Sequence, residues 1–188
     1  MGNQKIILVF GLSGVGKSTL VHKVLENRND FERVSGGSLI DCNKKTENRD
    51  ELRVLPSDEI LDNQKQLIKN FAKVKTELGH KHIIFDGHCI IKNGPSITEV
   101  PTDIIKKLFP NIIVFVEATA KEIIERRKND SSRPNREIET TAQINENICL
   151  QKNICSKYSS ELGVPLEFLN TAEPGKFAKI LDAIINPK

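Results

Sequence analysis

The stretch Gly11-Leu12-Ser13-Gly14-Val15-Gly16-Lys17-Ser18-Thr19 decides the reading of this chain. An apolar run, Ile6-Ile7-Leu8-Val9-Phe10, precedes it. Behind it, Leu20, Val21, Val24 and Leu25 are interleaved with Lys23, Glu26 and Arg28. The pattern G-x-x-x-x-G-K-[ST] therefore stands where its chemistry requires it, between a strand and a helix. Glycines let the backbone curl so that successive N–H groups face one concavity, and the helix start adds its own free N–H groups and positive dipole end. This P-loop (Walker A) predicts nucleotide phosphate bound by Gly11, Ser13, Gly14, Val15, Gly16, Lys17, Ser18 and Thr19. Lys17 is expected at the β- and γ-phosphates and Ser18 on Mg²⁺.

Outward from this stretch, short apolar runs alternate with amphipathic segments. Strands are expected at 5–10, 82–86, 111–116 and 164–169, with a weak, glycine-broken strand over Val34–Ile40. Helices are expected at 17–28, at about 57–79, 103–108, 120–128, 137–162 and 174–185, and Gly87–Pro101 reads as loop. Short runs that are apolar throughout fit strands covered on both faces. Alternation with helices predicts an α/β fold, a doubly wound parallel sheet of about five strands with right-handed crossovers. At 188 residues the chain is expected to form one domain, with polar stretches at 41–56 and 129–136 at its surface.

Composition narrows the function classes. Hydrophobic content of 38% and charged content of 28% fit a globular protein, and a net charge of +3 is too small to argue for nucleic acid. With no Trp and one Tyr, the aromatic interleaving of a nucleic-acid groove is missing as well. No apolar stretch reaches the roughly 20 residues of a membrane span. Met1-Gly2 begins like a myristoylation signal, but Ile6 stands where Ser or Thr is wanted. Cys42, Cys89, Cys149 and Cys155 show no C-x-x-C spacing, which fits reduced thiols in a cytoplasmic protein.

Two further features bear on what happens to the phosphate. Asp86 ends an apolar strand of the kind that lies beside the P-loop strand, where a carboxylate can orient the water shell of Mg²⁺. Gly87-His88 follows it at the carboxyl end of the sheet, and His88 is a candidate contact for a nucleotide base or phosphate. Arg126, Arg127, Arg133 and Arg136 cluster at a helix end and the loop after it. Phosphoryl transfer is mostly positioning and charge stabilisation, and guanidinium groups supply both. Such a loop could also close over nucleotide and exclude water.

These residues together resemble the archaeal-type adenylate kinases, within the nucleoside monophosphate kinase group of P-loop kinases. The resemblance runs from Gly11–Thr19 through Asn48-Arg49-Asp50-Glu51-Leu52-Arg53-Val54-Leu55 and Ile84-Phe85-Asp86-Gly87-His88-Cys89-Ile90-Ile91. It continues over Glu125–Arg136 to Asn145. It implies transfer of the γ-phosphate of MgATP to AMP, with ATP and Mg²⁺ as cofactors and nucleotides as partners. An acceptor-binding insertion is implied at 41–56 and a short arginine lid at 129–136. Arg53 is implied at the acceptor phosphate, and Arg126 and Arg133, with Arg136, around the transferring group. Gly36 falls in the segment that would lie beside the acceptor. There the chain has Ser35-Gly36-Gly37-Ser38 where the family tends to have an aromatic-Gly-Asp segment, which keeps other monophosphates and unrelated small molecules open as acceptors. No zinc is expected, since the cysteines lie outside the lid. The loop Asn170-Thr171-Ala172 is the expected neighbour of adenine. Two other readings stay open. One is a P-loop kinase for another small-molecule or nucleic-acid acceptor. The other is an ATP-binding regulatory protein that does not transfer phosphate.

Overall fold

The structure is a computed structural model and describes residues 4–41, 57–93, 96–131 and 139–186. Strand β1 (Ile6–Phe10) is the centre of a five-stranded sheet. Helix α1 (Lys17–Leu25) leads to β2 (Phe31–Ser35), which runs directly into α2 (Gly36–Asp41). The long α3 (Ser57–Glu77) precedes β3 (His82–Asp86). Strands β4 (Ile90–Asn93) and β5 (Ser96–Glu99) pair with each other, and α4 (Thr102–Lys106) and β6 (Ile112–Glu117) follow. Helices α5 (Ala120–Lys128) and α6 (Thr141–Leu162), strand β7 (Leu166–Asn170) and α7 (Pro174–Ile185) complete the order.

The sheet order is β2-β3-β1-β6-β7, and every neighbouring pair is parallel. All five residues of β1 are fully buried, because helices cover both faces. Ile6, Leu8 and Phe10 point into a core shared with Phe71 of α3, Ile105 of α4 and Tyr158 of α6. Ile7 and Val9 point into the opposite core with Val21 of α1, Ile123 of α5 and Phe177 of α7. Each such buried side chain contributes about 1.5–3 kcal/mol, so the apolar runs of β1, β3 and β6 fix the sheet. From β1 the chain moves to β2 on one side, and from β3 it moves past β1 to β6 on the other. The connection therefore reverses between adjacent β1 and β3, where open α/β sheets bind ligands at the carboxyl end.

Four expectations need correction. The weak strand expected over Val34–Ile40 begins earlier, at Phe31, and Gly36–Ile40 are helical. Among the described residues Phe-Glu-Arg-Val-Ser is an edge strand paired with β3 alone, so its pattern mixes buried, half-buried and exposed positions. Gly87–Pro101 is not all loop, since β4 and β5 form an antiparallel pair with Ile90 opposite Glu99. The first helix stops at Leu25 rather than residue 28. Helix α6 starts at Thr141, not 137, because Thr140 and Gln143 form a reciprocal capping box. Its far end is closed by Gly163 at φ 64°. Tyr158 of α6 is fully buried and donates its hydroxyl to Val100 O, which fastens this helix to the end of β5.

The acceptor insertion expected at 41–56 lies outside the described residues from 42 onward. The lid expected at 129–136 lies outside them from 132 onward. Among the described cysteines, Cys89 and Cys155 are buried and Cys149 is exposed, while Cys42 lies outside. Among the described residues no helix is long and apolar enough to cross a membrane.

Candidate active site

The candidate site opens at the carboxyl ends of β1 and β3. Gly11 leaves β1 at φ 146°, and a Cβ on it would lie 2.4 Å from the backbone oxygen of Val116. Only glycine lets the loop pass this close to β6. Val15 N donates to Leu12 O at 3.0 Å, which closes the turn. Gly16 then takes φ 102° directly ahead of α1. A side chain there would press on Thr171 and Arg126, at 3.2 and 3.4 Å. The loop therefore presents its N–H groups and the start of α1 to one hollow, the arrangement that suits phosphate.

Lys17 is buried, and its Nζ donates to Gly11 O at 2.7 Å, so the ammonium lies across the loop it belongs to. Ser18, next in α1, donates its hydroxyl to Asp86 Oδ2 at 2.9 Å. Parallel pairing aligns Val9 with Asp86, which brings the carboxylate level with the start of the loop. Asp86 is 8% exposed. Burial alone pushes its pKa up, but the nearby Lys17 charge and the hydrogen bonds from Arg33 and Ser18 outweigh burial and hold it below the usual carboxylate value. A serine hydroxyl and an ionised carboxylate this close are hard oxygen donors of the kind Mg²⁺ takes, directly or through water. That the same two oxygens already carry the guanidinium of Arg33 shows that the pair balances a cation.

Two arginines of α5 reach the loop. A second reciprocal capping box, Thr119 with Glu122, starts this helix. Arg126 donates to Val15 O through Nη1 and to Thr171 Oγ1 through Nη2 at 3.1 Å. It thereby joins the P-loop to the loop after β7. There Ala172 N donates to Asn170 Oδ1 at 2.9 Å, so Asn170–Ala172 form a tight turn beside the phosphate hollow. Arg127 donates to Ser13 O from Nε at 3.0 Å and from Nη2 at 2.9 Å. Its Nη1 meets Glu139 Oε2 at 2.5 Å, with both side chains 9% exposed. Glu139 also accepts from Asn147 Nδ2 at 2.6 Å, which ties α6 into the same network.

The structure thus brings together Gly11, Ser13, Gly14, Val15, Gly16, Lys17, Ser18, Thr19, Asp86 and Arg126. Gly36 opens α2 next to Asp86, and a Cβ on it would lie 3.7 Å from Asp86 O and 3.1 Å from the Phe85 ring. His88 is exposed just past β3. Arg53, Arg133 and Arg136 lie outside the described residues. The sequence does not single out Arg33, and it places Arg127 only within the arginine cluster, without its bonds to Ser13 O and Glu139. Period-two alternation over Phe31, Arg33 and Ser35 would have put Arg33 on the α1 side of the sheet, had the strand been started at Phe31.

Comparison with known proteins adds to this geometry. Residues 10–145 match the family profile described as AAA domain. The sequence is 31% identical to an adenylate kinase of Pyrococcus furiosus, with 96% of this chain and 97% of that protein covered. It is 31% identical to an adenylate kinase of Pyrococcus horikoshii, covering 96% of each. For an adenylate kinase of Methanocaldococcus jannaschii the identity is 29%, over 90% of this chain and 91% of that one. Among solved structures, an unliganded sugar kinase from Janibacter sp. HTCC2649 is similar with a TM-score of 0.52. It covers 97% of this chain and 94% of its own at 14% identity, a likeness of fold alone.

Proposed function

This chain belongs to the adenylate kinase family, and to the AAA-domain family over residues 10–145, and from that premise we propose that it moves the γ-phosphate of MgATP to AMP. The observation that carries this reading is the P-loop lysine, the adjoining serine and Asp86 meeting at the sheet's reversal point in a chain of that family.

In the reaction an oxygen of the acceptor phosphate attacks the γ-phosphorus in line, the bond to the β–γ bridging oxygen breaks, and two diphosphates leave. No covalent enzyme intermediate is needed. Lys17 gives up Gly11 O and meets the β- and γ-phosphates. The N–H groups of Gly11 to Thr19 cradle the donor phosphates. Ser18, and Asp86 through water, would hold Mg²⁺, which supplies charge neutralisation at the phosphate oxygens. Arg126, Arg133 and Arg136 brace the transferring group, and the loop at 129–136 serves as a lid that excludes water. Gly36, Arg53 and His88 line the acceptor side, with 41–56 as the acceptor insertion of one domain spanning 1–188. Asn170–Ala172 lie against adenine. The place of work is the cytoplasm.

The segment Ser35-Gly36-Gly37-Ser38 favours a second reading, in which the same transfer serves a different acceptor. Initial rates of ADP formation from MgATP, measured with AMP and then with each other nucleoside monophosphate, separate the two. AMP is expected to give the highest kcat/KM by at least about tenfold. A higher value for another monophosphate moves the assignment to it, and no transfer to any monophosphate contradicts the reading.

A further inference from the structure

Arg33 has no part in the reaction as drawn above, yet it sits on its metal ligands. It lies in the edge strand β2, on the sheet face that α1 covers, two residues after buried Phe31. Its Nη2 is 2.5 Å and its Nε 3.1 Å from Asp86 Oδ2, and Nη2 also donates to Ser18 Oγ at 2.8 Å. One cation therefore occupies the Ser18 hydroxyl assigned to Mg²⁺ and the Asp86 oxygen beside it. The two partners differ in freedom. The Asp86 side chain is 7% exposed, while that of Arg33 is 36% exposed. Beside it runs an open cleft of about 690 Å³, lined by Ser18, Thr19, His22, Phe31 and Glu32 with Arg33 itself. The guanidinium thus has water and space within reach of its flexible stem, whereas the carboxylate is fixed by β3.

A guanidinium held on the Ser18 hydroxyl and on Asp86 Oδ2 competes there with a divalent ion and its water shell, since like charges at this separation repel strongly in a partly buried site. We propose that Arg33 is a metal-displaced latch, a positioning residue that occupies the Ser18–Asp86 oxygen pair in the metal-free protein and swings into the adjoining cleft when Mg²⁺ arrives with the nucleotide. The inference rests on the phosphotransfer reading above. The latch keeps Ser18 and Asp86 oriented and charge-balanced without metal, and it sets how much Mg²⁺ is needed to load the site. Because α2 begins at Gly36, three residues after Arg33, release of the latch reports metal loading to the segment that begins there.

The test measures binding of a fluorescent ATP analogue to the full chain against buffered free Mg²⁺, with wild type, Arg33→Gln and Arg33→Lys. Glutamine removes the charge and keeps a polar side chain. Lysine keeps the charge but loses the planar fork that reaches both oxygens at once. The half-saturating Mg²⁺ concentration is expected to fall about tenfold in Arg33→Gln, the loss of one charge-assisted hydrogen-bonded competitor. In Arg33→Lys a fall of about threefold is expected, a partial rescue that a merely structural role would not produce. Should the glutamine variant fail to fold, the lysine variant decides on its own. An unchanged or raised Mg²⁺ requirement in the folded variants overturns the latch while leaving the phosphotransfer reading intact. Wild type that binds no analogue at any Mg²⁺ concentration overturns that reading, and the latch with it.

Discussion

The two ends of the central sheet use similar polar side chains in opposite ways. At the amino end, each one closes a backbone group that the strand ladder leaves open. Gln4 Nε2 donates to Lys81 O at 2.7 Å, and His82 Nδ1 accepts from Lys5 N at 3.0 Å. Asn111 Oδ1 accepts from Ile6 N at 2.8 Å, while Asn111 N donates to Ile6 O at 2.8 Å. Burial holds the His82 imidazole below its ordinary pKa, in keeping with a ring nitrogen that accepts. At the carboxyl end, Lys17, Ser18, Arg33 and Asp86 meet one another, and Lys17, Arg126 and Arg127 reach loop carbonyls around a hollow. Partners of the first kind are fixed by the backbone. Those of the second kind can be exchanged for a phosphate or a metal ion. That exchangeability marks the working end of the sheet, more than the number of charges does.

Within the carboxyl end, Arg127 behaves as an exception, since its guanidinium is fixed at once by the Ser13 carbonyl and by the Glu139 carboxylate. Breaking it should give the largest effect on stability. Arg127→Met removes the cationic partner of Glu139, whose side chain is 9% exposed, and takes away the two hydrogen bonds that Arg127 gives to Ser13 O. A loss of about 3 kcal/mol in unfolding free energy is expected, together with weakened ATP binding. Urea unfolding and nucleotide titration measure the two. A loss under about 1 kcal/mol would place Arg127 among the exchangeable charges. At the opposite end, Asn111→Ala leaves Ile6 N without its acceptor and should cost about 1–2 kcal/mol. Its turnover should match wild type. Slowed turnover in a folded Asn111→Ala protein would break the division between the two ends.

The same comparison explains what could be read from sequence. Strands β1, β3 and β6 are covered on both faces, so they stand out as uninterrupted apolar runs, and the P-loop between β1 and α1 is a local pattern whose glycines have a geometric cause. Helix α7 begins at Pro174 and ends at Ile185 where its residues predict. The edge strand β2 carries no such run. Its Arg33 meets Asp86, 53 positions away, and Arg127 meets Ser13, 114 positions away. Contacts of that reach are set by strand order rather than by any local pattern. The start of α6 was legible in principle, since Thr140-x-x-Gln143 is a capping box written in the sequence. The pair β4–β5 had a signal too, because Asn93-Gly94 favours a hairpin, but Pro95 and the polar residues around it read as loop.

The central claim is that the hollow at the carboxyl end passes phosphate between two bound nucleotides. The fate of the label from γ-labelled ATP, incubated with Mg²⁺ and AMP, tests it most directly. Wild type is predicted to deliver the label into ADP, with Lys17→Ala slower by about a thousandfold, because one preorganised charge is removed from the transferring phosphate. Label recovered as inorganic phosphate at a rate indifferent to AMP, or full transfer by Lys17→Ala, would contradict the account.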